Sequence, residues 1–210
     1  MRDWPEQVTR RHHAAVFLDR DGTINVDTHF PHRIDELAFE NRALEGLARL
    51  APLPLHIIVV SNQAGIARGL FTVDDMSAFN QEILRQVQEV EGRIDALYYC
   101  PHPERKDLPH GAQPCRCSKP NPGMLEEAAA DFGLDLKQCF LIGDKNSDIA
   151  AAQAVGATPV LLETGKAGGD ECELVRPPSA RLPDLSAAAA WVHSRFETNV
   201  LEYSKTVFAN

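Results

Sequence analysis

Five short apolar runs punctuate the chain: AAVFL at 14–18, HIIVV at 56–60, DALYY at 95–99, CFLIG at 139–143 and TPVLL at 158–162. They read as buried strands. Helical spacing fills the intervals. Ala43, Leu44, Leu47 and Leu50 form one apolar stripe, and Met76, Phe79, Ile83, Val87 and Val90 form another, behind a Thr72–Asp75 capping pair. Asn121-Pro122 reads as an N-cap followed by a proline at the first helical position, with Gly133 at the far end. A further helix is expected from Ser147 to about Gly156, and a last one from Ser186 to Phe196, with an uninformative tail. Residues 168–184, rich in Gly, Pro and charge, read as a surface connection. Strand alternating with helix implies an α/β fold: a Rossmann-like parallel sheet with helices on both faces. Ligands of such sheets bind beyond the carboxyl ends of the strands.

The segment from Pro101 to Pro120 breaks this rhythm, with five prolines and no hydrophobic period. Loops this long in a compact domain are usually functional or disordered. Cys100, His102, Cys115 and Cys117 frame it as C-x-H and C-x-C pairs. Three thiolates and an imidazole make a closed tetrahedral zinc site, although zinc knuckles more often space their cysteines by two to four residues. Reduced cysteines beside an unrelated histidine are the alternative.

Composition narrows the partners. The 210 residues carry a formal net charge of -9, with 44% hydrophobic and 24% charged positions. One domain over 1–210 is expected, with its core at about 14–165, the zinc loop at 100–117 and a C-terminal helix and tail at 185–210. Without a basic stripe, a nucleic-acid partner is not expected. No apolar stretch reaches the length of a membrane span, and the start MRDWPEQVTRRHH has no apolar signal-peptide core. A cytoplasmic monomer with no membrane partner is therefore the expectation. Five cysteines, three of them within one loop, suggest metal before disulfides.

Polar groups gather where the strands end. In FLDRDGT (17–23), Asp19 and Asp21 project to the same side if extended geometry persists. Two carboxylates so close cannot both stay charged unless a cation neutralises one. An ionised Asp19 suits attack on phosphorus, and Asp21 suits proton transfer to and from oxygen. Asp-Gly is equally a common turn pair. In IIVVSNQAG (57–65), Ser61 and neighbouring N–H groups suit phosphoryl oxygens, or cap the loop. Lys119, in CRCSKPNPG (115–123), can place a point charge on a transferring phosphoryl group. In FLIGDKNSD (140–148), Asp144 and Asp148 with Asp19 make an oxygen-rich site suited to Mg²⁺, although Asp148 also suits the first turn of a helix.

The ordered set Asp19-Arg20-Asp21-Gly22-Thr23, Ser61-Asn62-Gln63, Lys119-Pro120 and Gly143-Asp144-Lys145 resembles the haloacid dehalogenase superfamily of phosphatases. FLDRDGTINVD, SNQAGIARG, YYCPH, KPNPGML and GDKNSD are similar to its D-glycero-D-manno-heptose 1,7-bisphosphate 7-phosphatases, with histidinol-phosphate phosphatases as close relatives. The resemblance implies a phosphorylated sugar as substrate and no large cap domain. It implies Asp19 as nucleophile, Asp21 as acid/base, and Ser61 and Lys119 as holders of the phosphoryl group. Mg²⁺ would be bound by Asp19, the Asp21 carbonyl and Asp144. Substrate contacts would come from Asp27, Thr28, His29 and Phe30 of a flap, and from Asn62, Gln63, Ser118 and Lys145. The same Cys100, His102, Cys115 and Cys117 zinc set occurs in the heptose bisphosphatase group. Two departures stand out: Ser118 where relatives commonly carry arginine, and His29-Phe30 where many carry Gly-Tyr. Arg116, Arg68 and Arg20 are the candidates to replace the missing cation.

Overall fold

The computed structural model describes residues 2–3, 13–104 and 107–207. Among them seven strands form one sheet: β1 (Arg2–Asp3), β2 (Ala15–Leu18), β3 (His56–Asn62), β4 (Ala96–Cys100), β5 (Phe140–Gly143), β6 (Thr158–Leu162) and β7 (Ala180–Leu182), in the order β1-β4-β3-β2-β5-β6-β7. Strands β2 to β7 pair in parallel and only β1 pairs antiparallel, against β4. The five strands expected from sequence are present within two residues at either end. β1 and β7 were not expected. β7 lies inside the stretch read as a surface connection, and its Ala180-Arg181-Leu182 is too short and too exposed to give a pattern.

Among the described residues six α-helices flank the sheet: α1 (Ala43–Leu50), α2 (Ala64–Ala67), α3 (Val73–Glu89), α4 (Gly123–Phe132), α5 (Asn146–Val155) and α6 (Leu185–Val207). Alternate strand residues face opposite ways. Val16, Leu18, Ile57 and Val59 pack with Leu47, Phe79, Ile83 and Leu185 on one side. Ala15, Phe17, Ile58 and Val60 pack with Met124, Leu125 and Ala151 on the other. Both faces are thus covered, as a continuous apolar run requires.

The caps explain the helix limits. Thr72 accepts from the Asp75 N–H while the Asp75 carboxylate accepts from the Thr72 N–H, so α3 begins with a capping box. Gly133 and Gly156 close α4 and α5 in left-handed conformation at φ 65° and 79°. Asn121 does not cap α4. Pro122 is the capping residue, and the Asn121 side chain instead donates to the Cys115 carbonyl at 3.0 Å. Helix α6 continues through the tail thought uninformative.

β2 is the switch point: the chain leaves it to one side for β3 and β4, then crosses back to β5 and β6 on the other. A crevice opens where the loops diverge, so the residue after β2, Asp19, sits at its centre. Between β2 and α1 there is a single 3₁₀ turn (Ile34–Glu36) and no cap domain. No helix among the described residues is long and apolar enough to cross a membrane.

Candidate active site

Asp19 is buried, and its carboxylate is gripped by two lysines. Lys119 Nζ donates to Asp19 Oδ1 at 2.8 Å and to the Val60 carbonyl at 2.7 Å, and pairs with Asp148 Oδ1 at 2.6 Å. Lys145 Nζ lies 3.5 Å from Asp19 Oδ2. Burial alone would raise the Asp19 carboxyl, but Lys119 and Lys145 outweigh it and hold it at about 2, so it is ionised at neutral pH. Burial opposes charge on Lys119 too, but Asp148 and Asp19 keep the ammonium protonated. Asp148 is therefore a partner of Lys119 as well as a first-turn residue of α5.

Asp144 is completely buried at the end of β5. Its Oδ2 accepts the Lys166 N–H at 2.7 Å, while Oδ1 has no hydrogen-bond partner. Burial pushes this carboxyl up to about 8 despite Lys145, helped by the negative Asp19 and Asp148. Ligand oxygens of Asp19, Asp144 and Asp148 lie within 4.8 Å of one another. A buried carboxylate oxygen lacking a donor and facing further carboxylates fits a hard divalent cation. Asp148 is committed to Lys119, which leaves Asp19 and Asp144 with the Asp21 carbonyl. Lys145 Nζ reaches that carbonyl at 3.1 Å and Asp144 Oδ1 at 3.8 Å, so its charge sits among the same three oxygens.

The Asp21 side chain is turned to a different network. Arg20 donates to it bidentately, Nε to Oδ1 at 2.9 Å and Nη2 to Oδ2 at 3.1 Å. Asn25 and Gln63 each add a donor at 2.9 Å. Arg20 is buried against Phe79 and also bonds Asn80, Gln63 and the Pro31 carbonyl. Gln63 donates further to Ser61 Oγ at 2.7 Å. Asn62 exchanges both amide hydrogen bonds with the Lys119 main chain, at 3.0 and 3.1 Å. Asn62 and Gln63, expected as substrate contacts, bond Lys119, Asp21 and Ser61 and so help position all three. Ser118 is likewise buried, its N–H bonded to the Cys115 carbonyl.

Thr28 and His29 are exposed, and Asp27 and Phe30 are half-buried. His29 and Phe30 both hold φ 66°, a conformation glycine adopts freely and other residues rarely. Of the arginines considered for a missing cation, Arg20 is enclosed and Arg116 lies in solvent against Glu126 at 2.6 Å. Arg68 is held by Glu104 and Asp107.

A segment the sequence reading passed over closes the site. In the turn after β6, Thr164 Oγ1 donates to the Gly22 carbonyl, the Lys166 N–H to Asp144 Oδ2 and the Gly168 N–H to the Asp144 carbonyl, each at 2.7 Å. Gly165, at φ 51°, packs so closely that a Cβ would overlap the Asp144 carboxylate and lie 2.7 Å from Gly22 Cα. Asp170 then caps α5 from outside, accepting the N–H groups of Asn146 and Ser147 at 2.5 and 3.1 Å.

Cys100, His102, Cys115 and Cys117 come together with their donor atoms within 4.8 Å. None is in a disulfide. Burial pushes the Cys100 and Cys117 thiols up. This soft, closed donor set fits zinc.

A family model for HAD-hydrolase-like proteins matches residues 116–188. The D-glycero-β-D-manno-heptose-1,7-bisphosphate 7-phosphatase of Salmonella typhi is 38% identical over 160 residues, covering 76% of this chain and 85% of its own. The chain belongs to the haloacid dehalogenase-like phosphatases. It is thus a phosphoric monoester hydrolase with a HAD-like fold. A D-glycero-α-D-manno-heptose-1,7-bisphosphate 7-phosphatase of Photorhabdus laumondii is 35% identical, covering 68% of this chain and 78% of its own. Among HAD-like structures, the D,D-heptose 1,7-bisphosphate phosphatase of B. bronchiseptica, solved with magnesium and phosphate, superposes with a TM-score of 0.75 at 31% identity. That match covers 86% of this chain and 99% of the other.

Proposed function

We propose that this phosphatase removes the 7-phosphate of D-glycero-D-manno-heptose 1,7-bisphosphate, through a phosphorylated Asp19. The reading rests on one arrangement: an ionised Asp19 held between Lys119 and Lys145, beside an Asp144 oxygen that no protein group satisfies. The names of the relatives support the substrate.

Mg²⁺ would be held by Asp19, Asp144 and the Asp21 carbonyl, and when bound would neutralise these groups and polarise phosphoryl oxygens. Lys119 offsets repulsion between the Asp19 carboxylate and the incoming anion, and Ser61 donates to the phosphoryl group. Asp19 attacks phosphorus as the bond to the sugar oxygen breaks, and Asp21 delivers a proton to that oxygen. Water then attacks the aspartyl phosphate, Asp21 recovers the proton, and phosphate leaves with Asp19 restored. Arg20 and Gln63 orient Asp21 for both transfers. Cys100, His102, Cys115 and Cys117 would hold zinc, which when bound would anchor the loop that carries Lys119. The enzyme acts in the cytoplasm as a monomer, on a small phosphorylated sugar of carbohydrate metabolism.

Phosphorus NMR of heptose 1,7-bisphosphate with added Mg²⁺ tests the site of cleavage, using both anomers and histidinol phosphate in parallel. Selective loss of the 7-phosphate is expected. Preference for histidinol phosphate would overturn the substrate, and undiminished turnover by Asp19→Asn would overturn the mechanism.

A further inference from the structure

Three segments converge beside the site: the flap 27–33, the turn after β3 and, of the Cys/His loop, residues 100–104 and 107–117. They meet at one guanidinium. Arg68 follows α2 at the end of the segment that begins with Ser61. Its Nε and Nη2 bond Asp107 Oδ2 at 2.9 and 2.6 Å, and Nη2 also bonds Glu104 Oε2 at 3.2 Å. The face of the same guanidinium covers the Phe30 ring at 4.8 Å.

Within the flap, Asp27 Oδ1 accepts the His29 N–H at 3.0 Å and the His32 ring bonds the Phe30 carbonyl at 2.9 Å, which leaves the Phe30 side chain to contacts outside the flap. The base of the flap is anchored by Arg20, which donates to the Pro31 carbonyl, and by His32, which stacks on Phe71 at 4.9 Å. Its start lies beside the chemistry, with Asp27 Oδ2 3.8 Å from Lys145 Nζ. Between these anchors come His29 and Phe30, both at φ 66°. Non-glycine residues stay in that region only where their surroundings impose it, and Arg68 is the charged group that touches the Phe30 side chain.

We propose that Arg68 is a positioning residue that sets substrate selectivity, strapping the flap to the Cys/His loop so that the wall facing the sugar is preformed. The Glu104 and Asp107 carboxylates offset the Arg68 charge, so the cluster of the three offers no net positive charge to a distal phosphate. The work of Arg68 is geometric. A planar fork with a stacking face is what the position requires, and lysine has neither. The assignment rests on the proposed sugar bisphosphate only for the choice of substrate.

The experiment compares Arg68→Met, Arg68→Lys, Asp107→Asn and the Arg68→Met/Asp107→Asn pair on heptose 1,7-bisphosphate and on p-nitrophenyl phosphate, which is too small to need the flap. The KM for the bisphosphate is expected to rise about ten- to a hundredfold in Arg68→Met, in line with the cost of misplacing a substrate wall. Turnover of the aryl phosphate should stay within about twofold, Arg68→Lys should not rescue, and the double variant should be no worse than Arg68→Met. Amide hydrogen exchange provides a reading independent of activity: segments 28–33 and 107–117 should both exchange faster in Arg68→Met. Equal losses on both substrates would overturn the proposal, as would unchanged exchange in either segment. A lower KM in Asp107→Asn would overturn it as well, since freeing the guanidinium should help only if Arg68 grips phosphate itself. If the wild-type enzyme cleaves the aryl phosphate but no sugar bisphosphate, the functional reading fails, while exchange still decides the role of Arg68.

Discussion

Adding one methyl group at Gly165 tests whether the turn after β6 belongs to the cation site. Two effects separate. The first is conformational: an alanine at φ 51° costs about 1–2 kcal/mol relative to glycine. The second is collision, because the Cβ would overlap Asp144 Oδ2 and sit 2.8 Å from its Cγ. Either the turn lifts, breaking the 2.7 Å bond from the Lys166 N–H, or the carboxylate rotates and takes Oδ1 out of line. A hydrogen bond to a charged group contributes about 1.5–3 kcal/mol, and disturbing a ligand's outer partner typically weakens metal binding about 10–100-fold. Gly69 supplies the control, since it has φ 68° with nothing within 4 Å of an added Cβ. Calorimetric titration with Mg²⁺ should show affinity reduced about 10–100-fold in Gly165→Ala and unchanged in Gly69→Ala, while urea denaturation shows the conformational cost in both. Thr164→Val, which deletes the bond to the Gly22 carbonyl, should weaken Mg²⁺ in the same direction with less strain. Wild-type affinity in a folded Gly165→Ala would refute the argument.

The other predictions concern the lysines and the Cys/His loop. Lys119→Met leaves the buried Asp19 and Asp148 without their shared counter-charge and should cost about 3–5 kcal/mol of stability. Adding Asp148→Asn should recover part of that cost, and a single-variant loss below about 1 kcal/mol in urea melts would count against the triad. Asn62→Leu removes both bonds to the Lys119 main chain. It should lower kcat about tenfold or more on sugar and aryl phosphates alike, since it acts through a group needed for any ester; a loss confined to the sugar would contradict this. Stripping the bound metal with a strong chelator should lower Tm and speed exchange in 107–117, with elemental analysis reporting zinc lost. If both the stripped protein and Cys115→Ser melt like the parent, the loop needs no metal.

The groups that sequence brought into view are those whose chemistry travels with the side chain. Asp19 and Asp144 each follow an apolar strand and Ser61 is the last residue but one of another, and parallel pairing in register carries all three strand ends to one edge. Main-chain groups leave no such trace. The N–H groups of Lys166 and Gly168 that fix Asp144 belong to a Gly-Lys-Ala-Gly-Gly stretch, whose composition is that of any surface connection. Sequence also reports which polar groups exist without reporting which are already satisfied. Arg20 reads as a candidate for the missing cation, yet it is buried and bonded to Asn80, 60 residues away. Arg68 reads as a spare cation, yet its partners lie 36 and 39 residues on. Counting cations near the crevice therefore overstates what is available to a second phosphate. With Ser118 in place of arginine and all three substitutes engaged, the proposed reading puts selectivity in the shape of the wall more than in a free positive charge. On that reading the contact between Arg68 and Phe30 carries more weight than the formal charge of either loop.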